Sequence, residues 1–132
     1  MSEKHTHNSV VKLSHSTVVY REDGIMELEC GADTYYEMTH LKELLEVYKK
    51  LFGEKKVPML HVVGPYTSIA PEARSWGASK EATQFSLAEA FVLKSLAQKL
   101  LANFYVKFDK PEVPTKFFTT IPEAEQWLKS FL

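Results

Sequence analysis

Val57 to Arg74, VPMLHVVGPYTSIAPEAR, constrains the fold more than any other stretch of the chain. Met59, Leu60, Val62 and Val63 form a short apolar run that only His61 interrupts. Such a run, closed by Gly64-Pro65, predicts an inner parallel strand over Pro58 to Val63. Pro65 has no amide N–H and restricts the residue before it, so the strand should stop at Gly64. Pro71 and Glu72 then suit the first turn of a helix, the proline through its fixed φ and the glutamate through the helix dipole. The intervening Tyr66, Thr67 and Ser68 therefore fall between the carboxyl end of a strand and a helix start, the edge where open α/β sheets bind ligands.

The flanking segments extend the same alternation. Ser16 to Arg21 and Ile25 to Cys30 read as two strands around Glu22-Asp23-Gly24, a hairpin signal. In the second strand Met26, Leu28 and Cys30 alternate with Glu27 and Glu29, so either it lies near an edge or one sheet face meets water. Gly31 to Met38 reads as a connection with a possible helix cap. Leu41, Leu44, Leu45, Tyr48, Leu51 and Phe52 then recur at helical spacing, and Gly53 ends that helix. Trp76 to Ser79 suggests a helix end, and Leu87 to Val92 a strand. A helix from about Ser95 carries the apolar stripe Leu96, Leu100, Leu101, Phe104, Tyr105 and Phe108. Lys116 to Thr119 forms a short last strand. Thr120 and Glu123 match a capping box, and Ala124, Trp127, Leu128 and Phe131 line one face of a final helix. The order is β-β-α-β-α-β-α-β-α. Residues 1–9 read as a disordered tail and 10–132 as one α/β domain with five strands.

Totals narrow the function. With 16 basic and 17 acidic residues the net charge is −1, unlike a nucleic-acid binder. Cys30 is the single cysteine, so no internal disulfide can form and a reducing, cytoplasmic compartment is expected. The first residues have no apolar run of the secretory kind, and Ser86 to Val106 carries Glu89, Lys94 and Lys99, too polar for a transmembrane segment. Cys30 reads as a buried small hydrophobe rather than a nucleophile. His5 and His7 have a metal-compatible spacing but no third ligand, and no cofactor is expected.

No G-x-S-x-G elbow, glycine-rich phosphate loop, H-E-x-x-H or C-x-x-C occurs. His61 as a general base beside Ser68, with Arg74 for an anion, is the one hydrolase-like set; a sheet histidine, a loop serine and a surface salt bridge are the plainer readings. Tyr35, Tyr36, Tyr66 and Trp76 either rim a pocket or interface or pack beneath the loops.

The βα alternation, the hydroxyl-bearing loop before PEAR and the ending VPTKFFTTIPEAEQWLKSFL resemble the SpoIIAA-like (STAS/Sec14-type) small α/β domains of bacteria over Ser9 to Leu132. The resemblance implies a mixed, mostly parallel sheet with helices mainly on one face. It also implies a non-enzymatic regulatory module, in which a serine at the strand-to-helix loop is phosphorylated to switch partners. Thr67 and Ser68 stand at that place, without the Asp-Ser or Ser-Ser-Gly pattern of that branch. The Sec14-type members imply the alternative, binding of a small apolar ligand or lipid. Under either reading the working edge is Tyr66, Thr67, Ser68, Arg74 and the Lys94-Ser95 turn. A weak homodimer through an exposed first strand is a further expectation.

Overall fold

The computed structural model describes residues 8–132; the expected tail and its His5/His7 pair lie almost wholly outside them. In chain order the strands and helices are β1 (Ser9–Lys12), β2 (Ser16–Tyr20), β3 (Met26–Cys30), β4 (Tyr35–Tyr36), α1 (Met38–Phe52), β5 (Val57–Val62), β6 (Ser68–Ile69), α2 (Pro71–Gly77), β7 (Ser86–Val92), α3 (Leu96–Phe104), a π-helical turn (Tyr105–Asp109), β8 (Thr115–Phe118) and α4 (Ile121–Lys129). The main sheet has the order β1-β2-β3-β5-β7-β8. β1, β2 and β3 are antiparallel neighbours, and every pairing from β3 to β8 is parallel.

Six strands replace the expected five. The extra one, β1, begins within the segment expected to be tail; its four residues, SVVK, are too short to stand out as a pattern. It pairs with Thr17 to Tyr20 of β2, so the strand expected at an exposed edge is interior and the edges of the sheet are β1 and β8. A second, two-residue parallel pairing joins β4 to β6, within segments expected to be loops.

The three parallel crossovers all step the same way across the sheet, from β3 to β5 to β7 to β8. Crossovers of the usual right-handed kind must then put their helices on one face. Accordingly α1 packs Leu44, Leu45, Tyr48 and Phe52 against Val18, Tyr20, Met26, Leu28 and Met59. After β8 the chain has no further strand to reach, and α4 folds over the opposite face. There Ala124 and Leu128 bury Leu60, Ala88, Ala90 and Val92. The alanines of β7 give α4 the close approach it needs. On the same face α4 leaves β1 to β3 uncovered, and Glu27 and Glu29 lie there with Val19 and Arg21, as their alternation predicts. Arg21 bridges Asp23, Glu27 and Glu125, tying the hairpin to α4.

Local signals explain most boundaries. Gly24 has φ +92° at the hairpin turn and donates its N–H to Arg21 O. A register shift between Val57 and Pro58 accommodates the proline inside an inner strand. Ser95 caps α3 by accepting the Gln98 amide. The Thr120 capping box is not formed as expected: the Thr120 hydroxyl donates to the Glu123 carboxylate rather than accepting from backbone.

The apolar stripe expected of α3 divides in two. Leu101, Ala102 and Tyr105 face inward. Leu96, Leu100 and Phe108 are 72%, 62% and 60% exposed, and Phe104 is also exposed. The inward residues Leu101 and Ala102 line a cavity over the sheet.

Gly64 leaves β5 where the chain passes closest to another backbone. A Cβ there would lie 2.8 Å from Cys30 O and 3.0 Å from Ala32 N. Backbone cannot swing aside as a side-chain tip can. Gly64→Ala should therefore lower stability by about 1–3 kcal/mol, read from the urea midpoint; an unchanged midpoint would show that this close approach is absent.

Candidate functional site

The gap beneath α3 is a cavity of about 220 Å³ between α1, α2, α3 and the sheet. Its floor is the side of β3, β5 and β7 that carries Leu28, Cys30, Met59, His61, Glu89 and Phe91. Its walls include Leu44 and Tyr48 of α1, Trp76 of α2, and Leu101, Ala102 and Tyr105 beyond β7. Most of this lining is apolar, the usual make-up of a small-molecule site.

The loop from Gly64 to Ala70 forms one lip. Asp33 N–H donates to Pro65 O, Ser68 N–H to Thr34 O, and Ala70 N–H to Tyr36 O, so two adjacent loops are stitched together. Gln98 completes the lip from α3. Its amide nitrogen donates to Gly64 O at 3.0 Å and Thr67 O at 3.3 Å, and its amide oxygen accepts from Lys94 N–H at 2.7 Å. Gln98 thus joins the Tyr66–Ser68 loop to the Lys94-Ser95 turn, a link absent from the sequence expectations. Its signal was available: a polar residue one turn into a helix, beside a capping serine.

Thr67 is a correction. It was expected to present its hydroxyl, but it is buried and donates that hydroxyl to Gly31 O. Ser68 is exposed in β6, and Tyr66 is 85% exposed with φ +58°. Lys94 is also exposed, while Ser95 serves as the cap of α3. Tyr36 is buried, its hydroxyl donating to His15 O and sharing a hydrogen bond with the Ser16 hydroxyl.

Opposite the loop, Arg74 of α2 closes on the π-helical turn. Its Nε lies 2.7 Å from Asp109 Oδ2, with the two side chains only 14% and 10% exposed, and its guanidinium sits 4.7 Å from the centre of the Phe104 ring. This ion pair holds α2 to the π-helical turn after α3 and neutralises the charge an anion would need.

His61, Ser68 and Arg74 all line the cavity, but none bonds to another. His61 instead stacks on Phe91, with ring centres 4.3 Å apart, and its Nε2 lies 3.2 Å from Glu89 Oε1 without hydrogen-bonding geometry. Glu89 is buried, and its Oε2 accepts the Ser86 hydroxyl at 2.8 Å. In the sequence it is marked only as a charge within an apolar-rich stretch. Its place opposite Ala88 and Ala90 follows from strand alternation.

Burial raises the Tyr48 and Tyr105 phenols above their ordinary range, and the nearby Glu89 charge adds to the rise. Both stay protonated at neutral pH. Burial also pushes the Cys30 thiol up to about 11, with a smaller opposing effect from the neighbouring Tyr36 hydroxyl. Among the described residues no cluster of histidine, cysteine and acidic side chains is arranged for a metal ion, and no helix is long and apolar enough to cross a membrane.

Residues 19–132 match the family described as a domain of unknown function, DUF7793. The chain belongs to that family. A crystal structure of an uncharacterised DUF3478-family protein with a SpoIIAA-like fold, from Shewanella loihica PV-4, aligns with a TM-score of 0.57. It covers 97% of this chain and 98% of its own at 14% identity, a likeness of fold alone. The DUF7793 chain therefore has the SpoIIAA-like fold that its βα order resembles. Among curated proteins none matches.

The raised thiol has a measurable consequence. At pH 8 iodoacetamide should alkylate Cys30 roughly a hundredfold more slowly in the native protein than in urea, because the thiolate is the reactive form. Equal rates would show that the sulfur is open to solvent.

Proposed function

We propose that this chain is a non-catalytic binding domain for a small, largely apolar molecule held beneath α3. The supporting observation is the cavity of about 220 Å³, whose lining is mostly aliphatic and aromatic. Its size exceeds the ~150 Å³ of a buried apolar cavity able to take benzene, so a two-ring compound or a medium-length chain is the right scale. A full lipid is too large. A non-catalytic role is favoured because the Ser68 hydroxyl is not hydrogen-bonded to His61 and Arg74 is committed to Asp109. A cytoplasmic setting accompanies this reading, in keeping with the lone thiol at Cys30.

One observation favours a second reading, a regulatory interaction module of the STAS type. Tyr66 and Ser68 are exposed together on the lip of the cavity. Phosphate at Ser68 would add nearly two negative charges there and could change a protein partner. A Ser68→Glu variant that captures the same partners as wild type, in the same amounts, would count against the switch.

Naphthalene is the test of the main reading. At tenfold excess over its dissociation constant it should raise the thermal midpoint by about 5 °C. Ala102→Phe, which fills the chamber from α3, should abolish the rise while preserving the circular dichroism spectrum. A midpoint that naphthalene leaves unmoved in wild type would remove the basis for a ligand site.

A further inference from the structure

The apolar chamber has one polar corner, and its unused valences specify the ligand's head. Glu89 Oε2 is occupied by the Ser86 hydroxyl, whereas Oε1 accepts no hydrogen bond. Among the described residues the one sealed side-chain polar atom without a partner is His61 Nε2. Glu89 Oε1 is equally unbonded but is not sealed, so it opens onto space, and the space that Glu89 lines is the cavity. Tyr48 and Tyr105 also line the cavity, and the hydroxyl of neither is hydrogen-bonded or sealed. Three polar groups therefore meet the chamber with capacity to spare: one carboxylate oxygen that only accepts and two phenols that both donate and accept.

The charges exclude one class of head. Arg74 is the permanent cation of the lining, and Asp109 neutralises it at 2.7 Å. Glu89 has only His61 Nε2 beside it, 3.2 Å from Oε1 and without a hydrogen bond. An anion placed here would face a carboxylate paired with no permanent cation, in a poorly solvated setting where repulsion is screened far less than in water. Carboxylates and phosphates are therefore disfavoured. A group that donates to Glu89 and accepts from a phenol satisfies both kinds of unused valence, and a neutral hydroxyl does both.

Building on the apolar-ligand reading above, we infer that the ligand is an uncharged apolar alcohol or phenol, its hydroxyl donating to Glu89 Oε1. The apolar body lies against Met59, Phe91, Leu101 and Ala102.

Four probes of one ring system test this by calorimetry on the full chain: naphthalene, 1-naphthol, 1-methoxynaphthalene and 1-naphthoate. 1-Naphthol should bind roughly tenfold more tightly than naphthalene, the value of one hydrogen bond to a charged acceptor. 1-Methoxynaphthalene accepts but cannot donate and should gain nothing, and 1-naphthoate should bind weakest. Glu89→Leu should bring 1-naphthol down to the affinity of naphthalene. Glu89→Gln should narrow the penalty on 1-naphthoate, which keeps the test open where the leucine variant does not fold. 1-Naphthoate or 1-methoxynaphthalene binding as tightly as 1-naphthol would overturn the hydroxyl assignment and leave the apolar chamber standing. Failure of all four, naphthalene included, would overturn the chamber itself.

Discussion

The direction of the parallel crossovers governs the rest of this structure. From β3 onward each strand is added on the same side of the last, and a right-handed connection then has only one face on which to lay its helix. Three helices must share that face. A sheet wound in one direction also lacks the reversal point where doubly wound sheets open a crevice at their strand tips. The cavity accordingly lies beneath the helices rather than at the strand tips.

Covering is unequal along that shared face. α1 is long and delivers four large buried side chains to the β2–β5 half. α2 is short, and α3 with the π-helical turn after it turns Gln98, Leu101, Ala102 and Tyr105 to the cavity. The β5–β7 half consequently lies under a roof held by its rim. Gln98 fastens one side of that rim to the Gly64–Thr67 backbone, and the Arg74–Asp109 pair fastens another. Both contacts are directional and mostly shielded, so they hold α3 in place without the close sheet packing that would fill the space. The alanines of β7 serve the other face, letting α4 approach closely, while the alternating Glu89 and Phe91 turn toward the chamber.

Much of this was legible in the sequence. The Gly64-Pro65 stop, the Asp23-Gly24 turn, the alternation of Glu27 and Glu29 and the proline-led helices at Pro71 and Pro122 depend on neighbours along the chain, and each takes the expected form. β1 and the β4–β6 pairing escaped because two to four residues carry no period of their own. Leu96, Leu100 and Phe108 belong to a helical stripe wide enough to face two directions, and periodicity does not say which half is covered. Thr67 looked like a presented hydroxyl because its acceptor, Gly31 O, lies 36 residues away. The polar corner was hidden for the same reason: Tyr48, His61, Glu89 and Tyr105 come from four separate elements, and only the folded sheet brings them to one chamber.

Methyl-resolved NMR with added 1-naphthol separates the chamber from the exposed outer side of α3 most directly. Shifts are expected at the Met59, Leu101 and Ala102 methyls, with Leu128 and Ala124 on the α4 face unmoved. Shifts confined to Leu96 and Leu100, or no shifts at saturating probe, would contradict a binding chamber beneath α3.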